Sequence, residues 1–317
     1  MKKILITRKL IASSEEKAKR IFDVKLNKED KILSKEQLIK DSEGCDGILS
    51  SLTEKFDSDL ISKLPESIKI ISNFAVGFGN IDIQAAKKRN IVVTNTPDVL
   101  TDATAEIAML VLLGAARRAK EGTEWVKKKN WKWSADFLMG KQLTGARLGI
   151  LGMGRIGRAV AERARSFGMK IHYYNRSRLD ENLEKGATYH KSLESLMAVS
   201  DFFSINCPAT KETKHIINKN TLKYFPDGAV LSNSARGDMI DDDAMVEVLK
   251  NGKIYSLGLD EYNGEPNIHP EYLSLPNVYV LPHLGSATKK TRTAMADLAV
   301  DNMYEFFESG NCKNSVN

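Results

Sequence analysis

Two hydrophobic periods alternate along this chain. Short runs rich in Ile and Val, at Lys3–Thr7, Val24–Leu26, Gly47–Ser50, Lys69–Ala75 and Ile91–Thr94, carry the pattern of buried strands. Between them, Ser13–Phe22, Lys35–Ser42, Ser58–Lys63 and Ile81–Arg89 read as helices, and Ser13-Ser14-Glu15-Glu16 has the form of a cap for the first. This alternation predicts a doubly wound parallel sheet, because parallel strands must be joined by a crossover, usually a helix. Thr96-Pro97 marks a boundary, since the residue before proline is pushed out of the helical region. From Thr101 or Asp102 a single long helix is predicted as far as Lys128. It is apolar almost all round from Ile107 to Ala116 and is expected to be buried, between domains or subunits.

The second half repeats the architecture without repeating the sequence. Strands are expected at Leu148–Leu151, Lys170–Tyr174, Phe202–Asn206, Ala229–Asn233, Ser256–Leu259 and Val278–Leu281, with helices at Arg155–Ser166, Ser192–Val199 and Asp242–Lys250. A last helix, about Thr288 to Ser309, carries Met295, Leu298, Ala299, Met303 and Phe306 at helical spacing. The expected fold is therefore α/β, with two doubly wound parallel-sheet domains, and a length of 317 residues suits two domains.

One segment adds chemistry to the pattern. The run Leu148–Leu151 leads into Gly152, Gly154 and Gly157 at GxGxxG spacing, then a helix, then a second strand. That order places backbone N–H groups and a helix N-terminus against a pyrophosphate, which predicts a dinucleotide-binding Rossmann domain. Asn175 stands 18 residues after Gly157, where an acid would bond the ribose 2′-hydroxyl of NAD. Asparagine does not repel a 2′-phosphate, and Arg176 and Ser177 can bond one, so NADP is the expected cofactor with NAD also usable.

Composition narrows the classes. The longest apolar stretch, Ile107 to Ala116, is half the ~20 residues of a membrane span. No signal peptide opens the chain, and Cys45, Cys207 and Cys312 are few, odd in number and far apart, so a cytoplasmic protein without disulfides is expected. No CxxC or HxxxH is present, and no metal is expected. Net charge is +6, but acids interleave with the basic clusters, which argues for solvated helix faces and against a nucleic-acid partner.

Three further segments fall at the ends of predicted strands, where open α/β sheets bind ligands. They hold Arg236 in SNSARGDMID, Asp260 and Glu265 in LDEYNGEP, and His283 in LPHLGSAT. A guanidinium to grip a carboxylate and polarise a carbonyl, a protonated imidazole to deliver a proton, and a carboxylate to orient the ring are what reduction of a 2-oxo acid requires.

The order GMGRIG, NSARGD, NGEP, LPHLGSA resembles the D-isomer-specific 2-hydroxyacid dehydrogenases, with Glu265 29 residues after Arg236 and His283 18 after Glu265. The similarity extends through SNFAVGFGNID and NTPDVLTDATAE to nearly the whole chain. It implies a nucleotide domain, residues 97–284, inserted in a discontinuous flavodoxin-like substrate domain of 1–96 and 285–317. It implies a catalytic set of Arg236, Glu265 and His283, and substrate contacts from Leu52 and the Val76 and Gly77 N–H groups as well as Arg236 and His283. Besides Gly152, Gly154, Arg155, Ile156 and Gly157 of the loop and Asn175, Arg176 and Ser177, it implies cofactor contacts from Thr104, Cys207, Pro208, Ser234, Ala235, Asp260 and Ser286. The helix from Thr101 resembles the family's dimerisation arm, so a homodimer is expected. Asn73 stands where phosphoglycerate dehydrogenases usually carry arginine, and length leaves no room for their regulatory domain. Glu265 stands where formate dehydrogenases have glutamine, which disfavours formate. Glyoxylate and hydroxypyruvate reductases look closest. Phosphoglycerate- or lactate-type dehydrogenases are the alternative, and a nucleotide-sensing corepressor a more distant one. Gly79 departs from the aspartate common in that loop.

Overall fold

The computed structural model describes residues 1–317, which fall into two compact units: 1–100 with 287–317, and 101–286. No helix is long and apolar enough to cross a membrane. The division falls after Leu100 and after Ser286. Thr96 still donates its N–H to the carbonyl of Ala75 in the first unit, and Gly285 is held by Asp260 in the second.

In the first unit, β1 (Lys3–Ile6), β2 (Asp23–Leu26), β3 (Gly47–Ser51), β4 (Ile70–Phe74) and β5 (Val92–Thr94) form a parallel sheet of order β2-β1-β3-β4-β5. That is the flavodoxin-like doubly wound order. The first helix, Ala12–Ile21, does not use the serine cap that its sequence offers. Ile11 is its N-cap, and Glu15 instead accepts the Leu10 N–H at 3.0 Å. The last helix, Lys289–Ser309, is capped by the Thr288 side chain and ends at Gly310. It buries Ala296, Ala299, Val300 and Met303 against Ile4, Ile6, Leu49 and Ile70 of the sheet. Each large aliphatic side chain so buried contributes about 1.5–3 kcal/mol relative to exposure.

In the second unit, β6 (Arg147–Leu151), β7 (Lys170–Tyr174), β8 (Thr188–Tyr189), β9 (Phe202–Ile205), β10 (Ala229–Asn233), β11 (Ile254–Leu259) and β12 (Val278–Val280) pair in the order β12-β11-β10-β9-β6-β7-β8, all parallel. The order reverses between β6 and β9, which is the switch point where this architecture takes a dinucleotide. The single long helix expected from Thr101 is two, Thr101–Ala116 and Ala119–Lys127, broken at Arg118, whose φ of 55° is left-handed. The all-round apolarity of the first piece is explained within its own unit. Ala105, Ala108, Met109, Leu112 and Ala116 pack with Leu148, Ile150, Val160 and Phe202. Beyond the break, Trp125 meets Phe137 edge-on, whereas Trp131 and Trp133 are 86% and 80% exposed.

Candidate active site

The glycine loop follows β6 and is shaped by what lies around it. Gly152 has φ +92°, and a Cβ there would sit 2.5 Å from the Cys207 backbone nitrogen, so only glycine fits. A Cβ on Gly157 would strike the Gly152 carbonyl, while one on Gly154 would meet nothing within 4 Å. The helix Arg155–Ser166 starts at Gly154 without a side-chain cap. Its first N–H groups, those of Arg155 and Ile156 among them, present the kind of donor face that can bind a phosphate. Asn175 is turned to the loop itself, its Oδ1 accepting the Met153 N–H at 2.7 Å. Arg176 and Ser177 follow in an exposed bend. Arg178 is committed to Glu184 by two bonds of 2.8 and 2.9 Å, and Tyr173 donates to the same carboxylate.

The other positions expected to meet a cofactor line the carboxyl ends of the same sheet. Cys207 is half-buried with its sulfur 3.6 Å from that of Met239, and burial pushes its thiol up to about 11, so it offers a neutral, apolar surface. Pro208 follows and accepts the Thr213 hydroxyl through its carbonyl. The Ser234 hydroxyl and the Asn206 side-chain oxygen are buried without any partner in the chain, as groups awaiting a polar ligand would be. These orphaned atoms, the uncapped helix and the open space at Gly154 fit a dinucleotide. Thr104 and Asp260 are already occupied. The Thr104 hydroxyl donates to the Gly285 carbonyl at 3.1 Å, and the two Asp260 oxygens accept the Leu284 and Gly285 N–H groups at 2.7 and 2.8 Å. Burial raises the Asp260 pKa, an effect those two N–H donors only partly offset. Ser286 closes this unit, half-buried.

That clamp holds His283, whose φ of 55° is uncommon for a side-chain-bearing residue and costs about 1–2 kcal/mol. Its own N–H is fixed to the Asp260 carbonyl at 3.0 Å. Arg236 is set by the turn after β10, where the Asn233 side chain accepts the Ala235 N–H and donates to the Arg236 carbonyl. Gly237 lets this turn lie directly against the Tyr262–Asn263 backbone, where any Cβ would collide. Glu265 accepts the Tyr262 N–H at 3.1 Å through one oxygen and pairs with His283 Nδ1 at 2.8 Å through the other. Burial of the imidazole opposes its charge, but the Glu265 hydrogen bond and the Glu261 and Glu265 charges outweigh it, and the His283 pKa is raised. Burial likewise works to raise Glu265, and its bond to His283 prevails and lowers it.

The structure adds Glu261 to the cluster. It is 6% exposed, its Oε1 accepts from Arg236 Nη1 at 2.5 Å, and the same oxygen lies 3.2 Å from His283 Nε2. Burial pushes this carboxyl up to about 7, against the pull of Arg236 and His283. Its sequence signal is only an acid directly after Asp260 at a strand end. Ligand atoms of Glu261, Glu265 and His283 lie within 4.8 Å of one another, so they are the residues that could hold a metal, although each already pairs within the cluster.

In the first unit, the Val76 carbonyl accepts from the Asn95 side chain and the Gly77 carbonyl from Asn73, so this loop is held through its carbonyls. Asn73 is fully buried and also bonded to Ser50 and Asn80. Leu52 is 44% exposed.

Fold and cluster define a two-domain α/β oxidoreductase. The sequence profile of the D-isomer specific 2-hydroxyacid dehydrogenase NAD binding domain matches residues 109–285. A glycerate dehydrogenase of Hyphomicrobium methylovorum is 43% identical over 95% of this chain and 94% of its own. A glyoxylate reductase of Thermococcus kodakarensis is 41% identical over 96% and 92%. Among solved structures, an NADPH-dependent glyoxylate/hydroxypyruvate reductase from Sinorhizobium meliloti, in complex with NADP and malonate, superposes with a TM-score of 0.89 at 33% identity, over 99% of this chain and 96% of that one. The chain belongs to the D-isomer specific 2-hydroxyacid dehydrogenase family, and it is a nicotinamide-dependent oxidoreductase.

Proposed function

We propose that the chain reduces glyoxylate or hydroxypyruvate to the D-2-hydroxy acid, with NADPH preferred over NADH. The observation that carries this reading is the cluster in which His283 pairs with Glu265 at 2.8 Å and sits with Arg236 at the carboxyl end of the nucleotide sheet. A reduced nicotinamide bound there supplies a hydride to the carbonyl carbon. Arg236 polarises the carbonyl and grips the carboxylate, a task suited to its planar fork of donors. His283 gives its Nε2 proton to the carbonyl oxygen, while Glu265 holds Nδ1 and favours the charged ring. Leu52, Val76 and Gly77 enter the proposal as substrate contacts on their match to the family's positions. The nucleotide domain is residues 101–286 and the substrate domain the remainder.

Two features support the choice of substrate and cofactor. Asn73 is neutral, buried and bonded, so no cation stands there to meet a substrate phosphate. Asn175 places no carboxylate beside the exposed Arg176 and Ser177, and the Sinorhizobium relative is itself NADPH-dependent. A panel of 2-oxo acids assayed with both cofactors tests both. Glyoxylate and hydroxypyruvate should exceed phosphohydroxypyruvate and pyruvate in kcat/KM. NADPH should exceed NADH by roughly tenfold, about 1.4 kcal/mol. Asn175→Asp keeps an oxygen for the Met153 N–H and adds the repelling charge, so it should erase or reverse the preference. Equal kcat/KM for the two cofactors removes the cofactor reading, and a better phosphorylated substrate removes the substrate reading.

A homodimer belongs to the same proposal. Trp131 and Trp133 are large apolar groups left in water within one short segment, which marks an association surface. Sedimentation should give twice the 35.3 kDa chain mass. Trp131→Glu with Trp133→Glu should give a folded monomer. A monomeric unmutated protein overturns the assignment.

A further inference from the structure

The reduction gives Glu261 no task, yet Glu261 is buried where Glu265 is exposed. Its Oε1 takes Arg236 Nη1 at 2.5 Å and lies 3.2 Å from His283 Nε2, so one oxygen touches both groups that act on the substrate carbonyl. Arg236 Nη1 also donates to the Ala235 carbonyl, which leaves the rest of the guanidinium for other work. With Glu265 on Nδ1 at 2.8 Å, the imidazole is bracketed by two acids. Stability is a weak reason for Glu261, because a buried ion pair is commonly no better than apolar residues of the same size. Orientation does: Arg236 is a long, flexible side chain, and its neighbour His283 stands on a separate loop.

We infer that Glu261 is a positioning residue for the reduction, tying the Arg236 guanidinium to the His283 imidazole through one oxygen. It thereby fixes the separation between the group that polarises the carbonyl and the group that protonates it. The inference rests on the catalytic reading given above for Arg236 and His283. The charged groups facing Glu261 are Arg236 from the turn after β10, His283 from the loop after β12, and Glu265 from its own loop, with Asp260 adjacent in the chain. When ionised, its carboxylate adds to that of Glu265 in favouring the imidazolium. Neutralising it makes His283 lose its proton at lower pH.

The test compares Glu261→Ala and Glu261→Gln with His283→Ala, using the full chain and glyoxylate. Glu261→Ala should lower kcat by about 10- to 100-fold, the scale of misplacing reacting groups by about an ångström. NADPH affinity, read by fluorescence titration, should stay within a factor of ~3, because no change is made at the glycine loop. Glu261→Gln keeps an oxygen for Arg236 and should recover most of the lost kcat. Both variants should move the limb of the pH–rate profile that reports protonated His283 to lower pH, an effect a purely structural residue would not produce. Should Glu261→Ala fail to fold, the pH profile of Glu261→Gln still decides, and an unmoved limb overturns the inference. If His283→Ala is inactive while Glu261→Ala keeps both its kcat and its profile, the positioning role is overturned and the catalytic reading stands. If His283→Ala remains active, the catalytic reading itself falls.

Discussion

Replacing His283 with alanine should lower kcat by about two to four orders of magnitude, the range for a positioned general acid. NADPH binding should be nearly unchanged, since the glycine loop, the helix from Arg155 and the Ser234 hydroxyl are left as they are. The role has a pH signature as well. His283 has its pKa raised above the ordinary 6.5, and reduction uses its protonated form, so the rate falls as pH rises through that value. Glu265→Gln removes the hydrogen-bonded carboxylate that does most to raise it. The falling limb should move to lower pH, and the limb for the reverse oxidation, which needs the neutral ring, should move the same way. Steady-state rates in both directions across pH would show this. A profile unmoved in Glu265→Gln would falsify the pairing as part of the mechanism.

The second large effect concerns the glycine loop, where two neighbouring glycines should behave differently. Gly152→Ala forces a side chain onto a φ of +92° and within 2.5 Å of the Cys207 nitrogen, so the loop must move with or without ligand. It should raise the Kd for NADPH at least 100-fold, roughly 2.7 kcal/mol, and lower Tm by several degrees. Gly154→Ala places its methyl in open space, with nothing within 4 Å. It should leave the Tm of the free protein alone and weaken only cofactor binding, because the methyl would intrude where a pyrophosphate is expected to approach the backbone. Thermal melts and fluorescence titrations of both variants check the pair. Normal NADPH affinity in Gly154→Ala would place the pyrophosphate elsewhere.

Much of this was legible in the chain because its signals are local. β6, the GxGxxG turn and the helix from Arg155 are contiguous, and their residue types leave few alternatives. Ser58–Lys63 and Ala229–Asn233 have the bounds that their apolar runs predict. What escaped depends on partners distant in sequence or on competition within a turn. Ser13 lost the cap to Glu15, whose longer side chain reaches back to the Leu10 N–H. The break at Arg118 carries no glycine or proline to announce it. Glu181–Glu184, Lys219–Leu222 and Pro270–Ser274 are too short to show a period. In the site, Arg236, Glu265 and His283 stood out as types chemistry uses, but Glu261 did not. Its significance is its distance to two side chains from other strand ends, which no spacing within LDEYNGEP encodes.

The interrupted chain path of the first unit has a consequence for biosynthesis. Its sheet is complete at β5, yet the helix that covers Ile4, Ile6, Leu49 and Ile70 belongs to residues 287–317. The Ser72 hydroxyl bonds the Ala299 carbonyl across 227 positions of sequence. On the ribosome, the 101–286 unit, continuous and with its own core, can mature while one apolar face of the earlier-made sheet is covered only by the first helix. Until residues 287–317 are made that face lacks part of its cover, so the nascent first unit is expected to be the part most prone to aggregate if synthesis stalls near Ser286.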